Sequence, residues 1–144
     1  LYEEVLAQRK RLLLHVGTGP IGNEYVGISH LLKVLKRYPG LKLNIAHMGA
    51  FEFIDFFELL KQYPEIHLDT SYCFLPGSFR MFRMEKSVLE SLKGRLLYGS
   101  DFPNLFHHRR EELNALLGME LSQEFYDRVF RDNALDLLRS HTGR

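Results

Sequence analysis

The sequence predicts an α/β fold in which four parallel strands alternate with helices. Four short apolar runs are each followed by glycine, serine or proline, which is typical of strands buried in a parallel sheet. Between these runs, apolar residues recur at i, i+3, i+4 and i+7, which is the spacing of one helix face. Strands that alternate with helices are connected by right-handed βαβ units, so we expect all four strands to point the same way.

The elements follow in the order β-α-β-α-β-α-β-α-α, after the end of a helix in residues 1–10. The strands are predicted at residues 11–16, 41–47, 66–71 and 96–101. The apolar helix positions are Ile28, Leu31, Leu32 and Leu35; Phe53, Ile54, Phe57 and Leu60; Val88, Leu89 and Leu92; and Leu113, Leu116 and Leu117. Ser122 is the predicted N-cap of a further helix. No linker interrupts the pattern, so we expect residues 1–144 to belong to a single domain.

Composition excludes several classes of function. The net charge of +1 argues against nucleic-acid binding, which usually requires a clear basic excess. No apolar run is long enough to cross a bilayer, so we expect no membrane partner. The single cysteine, Cys73, cannot form an internal disulfide and fits a reducing compartment such as the cytoplasm. We interpret Cys73 as a buried packing residue.

Polar residues stand where the predicted strands end. His15 and His47 end the first two strands, Ser71 the third and Asp101 the fourth. The carboxyl ends of parallel strands lie on one face, and in barrels that face holds the active site. The period of two along a strand predicts that two imidazoles and a carboxylate converge there. In isolation each histidine would be a structural residue and Asp101 a turn residue, but their shared position favours function.

Two histidines and an aspartate suit zinc, or manganese where oxygen ligands are more numerous. At this point the sequence resembles the amidohydrolase superfamily, most closely the amidohydrolase-related (amidohydrolase 2) metal-dependent hydrolases with a TIM barrel. The resemblance rests on His-Val-Gly, Ala-His-Met-Gly, Leu-Asp-Thr-Ser, Gly-Ser-Asp-Phe-Pro and Asp-Asn-Ala-Leu-Asp-Leu-Leu, taken in that order. It covers nearly the whole chain and implies the C-terminal half of a (β/α)8 barrel.

The resemblance also implies roles for the candidate residues. His15 and Asp101 would bind the metal, and Asp101 would also take the proton of the attacking water. His47 would orient water or substrate in a mononuclear site and bind metal in a binuclear one. The expected enzyme hydrolyses a C–N or ester-like bond of a small organic substrate. The alternative within the family is a metal-dependent decarboxylase.

The sequence departs from this family in one respect, because the His-x-His pair that ends the family's first strand is absent. We therefore expect chain upstream of Leu1, and we expect the 144 residues alone to bind metal weakly and to be inactive. The outer strands are expected to have open edges, which favour homo-oligomers or other association. An alternative of another class is a non-catalytic half-barrel that acts by pairing with another chain.

Other polar residues receive structural interpretations. His67 is expected within the wall, and Arg109 to Glu112 are expected to form a solvated helix face. The aromatic loop of residues 72–82 is either a substrate wall, with Arg80 or Arg83 available for a carboxylate, or a loop packed on its own aromatics. His107 and His108 are adjacent and lie on the loop after the fourth strand.

Overall fold

The structure of the chain, a computed structural model, describes residues 1–19, 22–75, 84–104 and 109–142. It confirms the predicted α/β fold class. The strands are β1 (Arg11–Leu14), β2 (Lys42–Ile45), β3 (Ile66–Asp69) and β4 (Leu96–Leu97). The α-helices are α1 (Tyr2–Ala7), α2 (Ile28–Arg37), α3 (Phe53–Gln62), α4 (Lys86–Leu92), α5 (Arg109–Leu117), α6 (Gln123–Asp127) and α7 (Asn133–Thr142). A 3₁₀ segment, Ala46–Glu52, leads from β2 into α3, and a π-helical turn, Arg128–Asp132, leads from α6 into α7.

The strands form one sheet in the order β1-β2-β3-β4. β1 pairs in parallel with β2, with Leu12 opposite Leu43, and β2 pairs in parallel with β3. The chain divides into two compact units, Leu1–Leu68 and Asp69–Arg144, which are described in turn.

The strands end earlier than the sequence predicts. β1 ends at Leu14 and β4 at Leu97, so the candidate residues stand beyond the strands rather than at their last positions. His15 directly follows β1, whereas His47 and Asp101 lie further into the connections. The backbone is left-handed at His47 and Asp101, with φ of 56° and 54°, and this conformation cannot continue an extended strand.

In the first unit, the core comes from alternate positions of β2, from successive positions of β3 and from one face each of α2 and α3. The buried residues of these elements are Leu43, Ile45, Ile66, His67, Leu68, Leu31, Leu35, Phe56, Phe57, Leu59 and Leu60. Leu32 and Ile54 were predicted on these faces, yet both are exposed. In α3 the i, i+3 and i+4 spacing also fits Phe56 with Leu59 and Leu60, and these three residues are buried together with the predicted Phe57.

β1 is not buried on both faces as its apolar run predicts, because Leu13 is 67% exposed. The register places Leu13 opposite Asn44, on the face of the sheet that carries polar side chains. Asn44 in turn lies opposite His67, which is buried as expected.

Arg11 accounts for the polar character of this face. Its Nη1 donates to the carbonyl oxygens of Leu43 at 3.0 Å and Glu65 at 2.8 Å. The same nitrogen lies 3.3 Å from Oδ1 of Asn44 and 3.5 Å from Nδ1 of His67. One guanidinium thus satisfies acceptors of two neighbouring strands.

In the second unit, β4 is bonded on both sides. The carbonyl oxygen of Leu97 accepts the N–H of Thr70 at 2.9 Å, next to the end of β3. The N–H of Tyr98 donates to the carbonyl oxygen of Val129 at 3.0 Å. The expectation of an open edge at this strand is therefore wrong, because the C-terminal helical region occupies its backbone groups.

Asn133 completes the attachment of β4. Its Nδ2 donates to the carbonyl oxygens of Lys93 at 2.6 Å and Leu96 at 2.7 Å, and the side chain is buried. Ser122 is the N-cap of α6 as predicted, since its hydroxyl accepts the N–H of Phe125 at 3.1 Å. Within the described ranges, no helix combines the length and the hydropathy that a membrane span requires.

We expect Asn133→Ala to destabilise the fold. The substitution leaves two carbonyl oxygens, those of Lys93 and Leu96, without the amide that binds them, at a cost of about 2 kcal/mol in the free energy of unfolding. Urea unfolding followed by circular dichroism measures this change. Asn114→Ala on the exposed face of α5 is the control and should stay within about 0.5 kcal/mol. Equal effects of the two substitutions would contradict the assignment.

Candidate functional site

The structure brings His15 and His47 into contact within the first unit. Nε2 of His47 lies 3.1 Å from Nδ1 of His15, and the rings meet edge to face with centroids 4.7 Å apart. His15 is exposed, whereas His47 is buried. Solvent can therefore reach His15, whereas His47 is enclosed by the protein.

A carbonyl group fixes which nitrogen of His15 carries the proton. Nε2 of His15 lies 2.8 Å from the carbonyl oxygen of Gly19, which can only accept a hydrogen bond. Nε2 therefore donates, and Nδ1 of the neutral ring presents its lone pair toward His47. A ring N–H bound to a carbonyl is the usual arrangement behind a metal-binding histidine.

His47 is held by an unusual backbone. Four successive residues of the 3₁₀ segment, His47, Met48, Gly49 and Ala50, have positive φ of 56°, 50°, 87° and 54°. Left-handed backbone at residues other than glycine is uncommon and costs about 1–3 kcal/mol where it is strained. All four residues are buried, so packing around the segment must hold this conformation.

Two glycines let the connection after β1 touch this segment. A Cβ on Gly17 would lie 2.2 Å from the carbonyl oxygen of Gly49. A Cβ on Gly49 would lie 2.1 Å from Cδ2 of Phe56. The close approach of the two backbones therefore requires glycine at position 17, whereas glycine at position 49 leaves room for the ring of Phe56. The approach places His15 beside His47.

The donor set fits part of a metal site. Two ring nitrogens that bind one tetrahedral zinc ion at about 2.0–2.1 Å lie about 3.3 Å apart. The nitrogens of His15 and His47 are 3.1 Å apart, which is close to that separation. Catalytic zinc sites add a third protein ligand and a water. Across residues 1–19, 22–75, 84–104 and 109–142, no group of three His, Cys, Asp or Glu side chains is placed to hold a metal ion.

Asp101, the third predicted site residue, lies in the second unit at a turn after β4. Its left-handed φ of 54° is a conformation that aspartate adopts more readily than most residues. Its Oδ1 accepts a hydrogen bond from Nδ2 of Asn104 at 3.1 Å. The assignment of Asp101, His15 and His47 to metal binding or catalysis stays a prediction.

Asp69 and Ser71 form a second polar group in this unit. Oδ1 of Asp69 accepts the N–H of Ser71 at 3.0 Å and also the hydroxyl of Ser71. Gly99 lies against them, since a Cβ there would be 3.1 Å from Cβ of Ser71. Ser71 was predicted to end the third strand, but it lies beyond β3, where its buried hydroxyl is bound to Asp69 and supports the turn.

The sequence interpretation missed Glu112. We expected a solvated face from Arg109 to Glu112, yet the side chain of Glu112 is 0% exposed. Glu112 lies one helical turn before the buried Leu116, so the i, i+4 spacing would have identified it as an inward position. Four charges in succession concealed that spacing.

Burial raises the pKa of Glu112 to about 7. The backbone N–H groups of Phe74 and Tyr72 oppose this rise, and the negative charges of Asp69 and Asp101 add to it. The second unit thus holds a carboxyl group that exchanges its proton near neutral pH.

Cys73 is buried as the sequence analysis expected. Burial raises the pKa of its thiol well above the ordinary value, and the charges of Asp69 and Glu112 raise it further. The thiol is therefore kept protonated and unreactive, since the thiolate is the nucleophilic form.

Of the aromatic loop after β3, Tyr72 and Phe74 are described, and Phe74 is buried. Arg80, Arg83, His107 and His108 lie outside the described residues. The hypothesis of a carboxylate-binding arginine therefore stays a prediction.

We expect Gly17→Ala to disrupt the histidine pair. The added methyl group would lie 2.2 Å from the carbonyl oxygen of Gly49, and relief of this overlap must move one of the two connections. Overpacking of this kind costs about 1–3 kcal/mol of unfolding free energy, measured by urea titration. The control is Gly94→Ala, whose Cβ would meet no atom within 4 Å. An equally small effect at both positions would show that the approach of Gly17 is unimportant.

Glu112 gives stability a specific pH dependence. In the unfolded chain its pKa is the ordinary 4.5, so between pH 4.5 and about 7 only the folded chain keeps the proton. Stability contributed by the neutral carboxyl is therefore lost as pH rises through that window, by up to about 3 kcal/mol. Glu112→Gln, which does not ionise, should gain stability relative to the wild type as pH rises through the window. The difference should then stay constant above about pH 7.

Urea unfolding at a series of pH values tests this expectation. Glu111→Gln on the exposed side of α5 is the matched control and should show a constant difference from the wild type. A constant difference for Glu112→Gln as well would mean that the buried carboxyl keeps its ordinary pKa.

The chain was compared with known proteins. The family model for amidohydrolases matches residues 12–140. No curated protein sequence matches the chain. An uncharacterised TIM-barrel protein from Bordetella bronchiseptica is 19% identical with a TM-score of 0.73, over 99% of this chain and 50% of that protein.

Two further solved structures are similar. One is an amidohydrolase from Burkholderia multivorans with bound zinc, 16% identical with a TM-score of 0.65 over 94% of this chain and 54% of its own. The other is a 5-carboxyvanillate decarboxylase from Novosphingobium aromaticivorans in complex with manganese, 14% identical with a TM-score of 0.59 over 96% of this chain and 50% of its own. The chain thus spans about half the length of these structures, and with the match over residues 12–140 it belongs to the amidohydrolase family.

Proposed function

We propose that this chain supplies part of the metal site of a hydrolase that acts on a C–N or ester-like bond of a small organic molecule. The observation that carries the proposal is the contact between Nδ1 of His15 and Nε2 of His47, with Nε2 of His15 bound to the carbonyl of Gly19. This arrangement leaves a lone pair of His15 directed toward the second imidazole, just beyond the ends of two parallel strands. Membership of the amidohydrolase family supports the same assignment.

In this proposal, His15 and Asp101 hold a divalent cation, with zinc as the first candidate and manganese as the alternative. When bound, such an ion lowers the pKa of its water to about 7 and so supplies hydroxide at neutral pH. Asp101 would serve as the general base that takes a proton from the attacking water, because a carboxylate is suited to that role. His47 orients the water or polarises the substrate, and it becomes a ligand if two metal ions are held.

Decarboxylation on the same residues is the second candidate. A manganese-containing decarboxylase is among the similar structures, so the fold is compatible with that chemistry as well. There, a substrate carboxylate and a neighbouring oxygen would be held by the metal that His15 and Asp101 bind. A third hypothesis, of a different class, is a non-catalytic half-barrel that functions by association with another chain or a second copy of itself.

The remaining partners follow from the same proposal. The substrate is a small molecule, and neither nucleic acid nor membrane is a partner. A cytoplasmic location is proposed from the single cysteine, which is buried and protonated.

Zinc titration of the 144-residue chain by calorimetry tests the ligand assignment. We expect weak binding, because fewer than three ligands are grouped in the described part of the chain. His15→Asn should weaken binding by about tenfold or more, and His47→Asn should do the same where His47 is itself a ligand. The control is His30→Asn on α2, which should leave the affinity unchanged.

Two results would contradict the proposal. Equal binding by the wild type and both histidine variants would exclude the pair as ligands. Tight stoichiometric binding by the wild-type chain would instead overturn the expectation that its ligand set is incomplete. Circular dichroism of each variant confirms that the fold is retained.

Product analysis separates the two reactions. In an active protein that contains this sequence, metal-dependent release of an amine or alcohol from amides and esters supports hydrolysis. Release of carbon dioxide from aromatic or enol acids would show that decarboxylation is the correct alternative.

A further inference from the structure

Glu52 occupies a position that the proposed chemistry does not use. It is the last residue of the 3₁₀ segment that carries His47, and it is half-buried. Its carboxylate lies beside the N–H of Ile28, at 3.2 Å through Oε1 and 3.3 Å through Oε2. Ile28 is the first residue of α2, so Glu52 joins the segment after β2 to the helix that follows β1.

Helix α2 depends on this carboxylate because it lacks its own N-terminal cap. Its N-cap residue is Gly27, which has no side chain to accept a hydrogen bond, and no acidic residue lies in the first turn. A carboxylate at a helix N-terminus satisfies unpaired N–H groups and is favoured by the helix dipole. Glu52, which belongs to the 3₁₀ segment, thus supplies the capping carboxylate that α2 lacks.

The local shape at Gly27 fits this role. With φ of 116°, Gly27 adopts a backbone that L residues rarely adopt, and a Cβ there would lie 3.1 Å and 3.2 Å from the two carboxylate oxygens of Glu52. The same Cβ would lie 3.3 Å from Cγ2 of Thr18. The glycine therefore leaves space for the carboxylate between the helix and the connection after β1.

Gly27 also closes the connection that supports His15. Its N–H donates to the carbonyl oxygen of Val16 at 2.6 Å, which brings the two ends of that connection together. Gly19 lies within the closed connection, and its carbonyl binds Nε2 of His15 at 2.8 Å. Three hydrogen bonds, joined by the chain between them, therefore link Glu52 to the Nε2 proton of His15. They are those of Glu52 with Ile28, of Gly27 with Val16, and of Gly19 with His15.

We infer that Glu52 is a positioning residue for the histidine pair. By binding the start of α2, its carboxylate keeps the connection that orients His15 against the segment that carries His47. The significance of this role for metal binding rests on the proposed function, but the role itself concerns only the tautomer and contact of the two rings. It can therefore be tested without metal, substrate or turnover.

The tautomer of His15 is the direct readout, measured by long-range ¹H–¹⁵N correlation spectra of the ring nitrogens. In the wild type we expect one tautomer with the proton on Nε2. In Glu52→Ala the ratio of tautomers should change by about fivefold or more, the size expected for loss of one such hydrogen bond. Glu52→Gln keeps an acceptor oxygen and should restore the wild-type ratio.

Two further variants separate positioning from charge and from general destabilisation. Glu58→Ala removes an exposed carboxylate of α3 that binds Lys61, so it makes the same charge change and should leave His15 unaffected. Ile28→Pro removes the N–H that Glu52 accepts, at the first helical position where proline is tolerated. It should reproduce the effect of Glu52→Ala with the carboxylate still present.

An unchanged His15 tautomer in folded Glu52→Ala would overturn the inference. If that variant does not fold, an unchanged tautomer in folded Ile28→Pro would overturn it in the same way. If the tautomer responds to Glu52 while zinc titration gives no dependence on His15 and His47, the positioning role stands and the proposed function fails.

Discussion

The contact between the backbones of Gly17 and Gly49 is the constraint on which the first unit depends. A methyl group at either position would overlap a carbonyl oxygen or the ring of Phe56. Because Gly17 has no side chain, the connection after β1 lies directly on the segment after β2, and the absence of a side chain at Gly49 leaves room for the ring of Phe56. The contact of His15 with His47 follows from this approach, and so does the left-handed backbone that the packed segment maintains. The residues of the candidate site therefore lie on the connections after β1 and β2, and the two strands set where those connections begin.

Much of the fold follows from the periodicity of the sequence. Short apolar runs separated by helical stripes are sufficient to predict four parallel strands and the helices between them. The strand ends were less accurate, because an apolar run does not reveal where the backbone leaves the extended conformation. His47 and Asp101 adopt left-handed φ within what resembled strands, a property that depends on tertiary packing.

The buried polar residues show a different limit of sequence analysis. Asn133 and Glu112 lie in charged or polar stretches that resemble solvated helix faces, yet both are buried. Asn133 binds two carbonyl oxygens at the start of β4. This role could not be predicted, because the sequence does not show which backbone segment lies beside Asn133. Glu112 lies on the same inward face of α5 as Leu116, so the i, i+4 spacing indicated its burial. Its charge led to the opposite prediction. The contact of His15 with His47 was predictable because parallel strands bring their ends to one edge.

The burial of Cys73 gives the chain an internal reporter. It is the sole cysteine, its side chain is inaccessible, and its thiol is kept protonated by its surroundings. A thiol-specific reagent can therefore modify the folded protein only while the turn after β3 is transiently open. The rate of modification is then a measure of the local opening equilibrium, obtained without any introduced label. Because the charges of Asp69 and Glu112 both act on this thiol, its modification reports local opening of the second unit at a single sulfur atom.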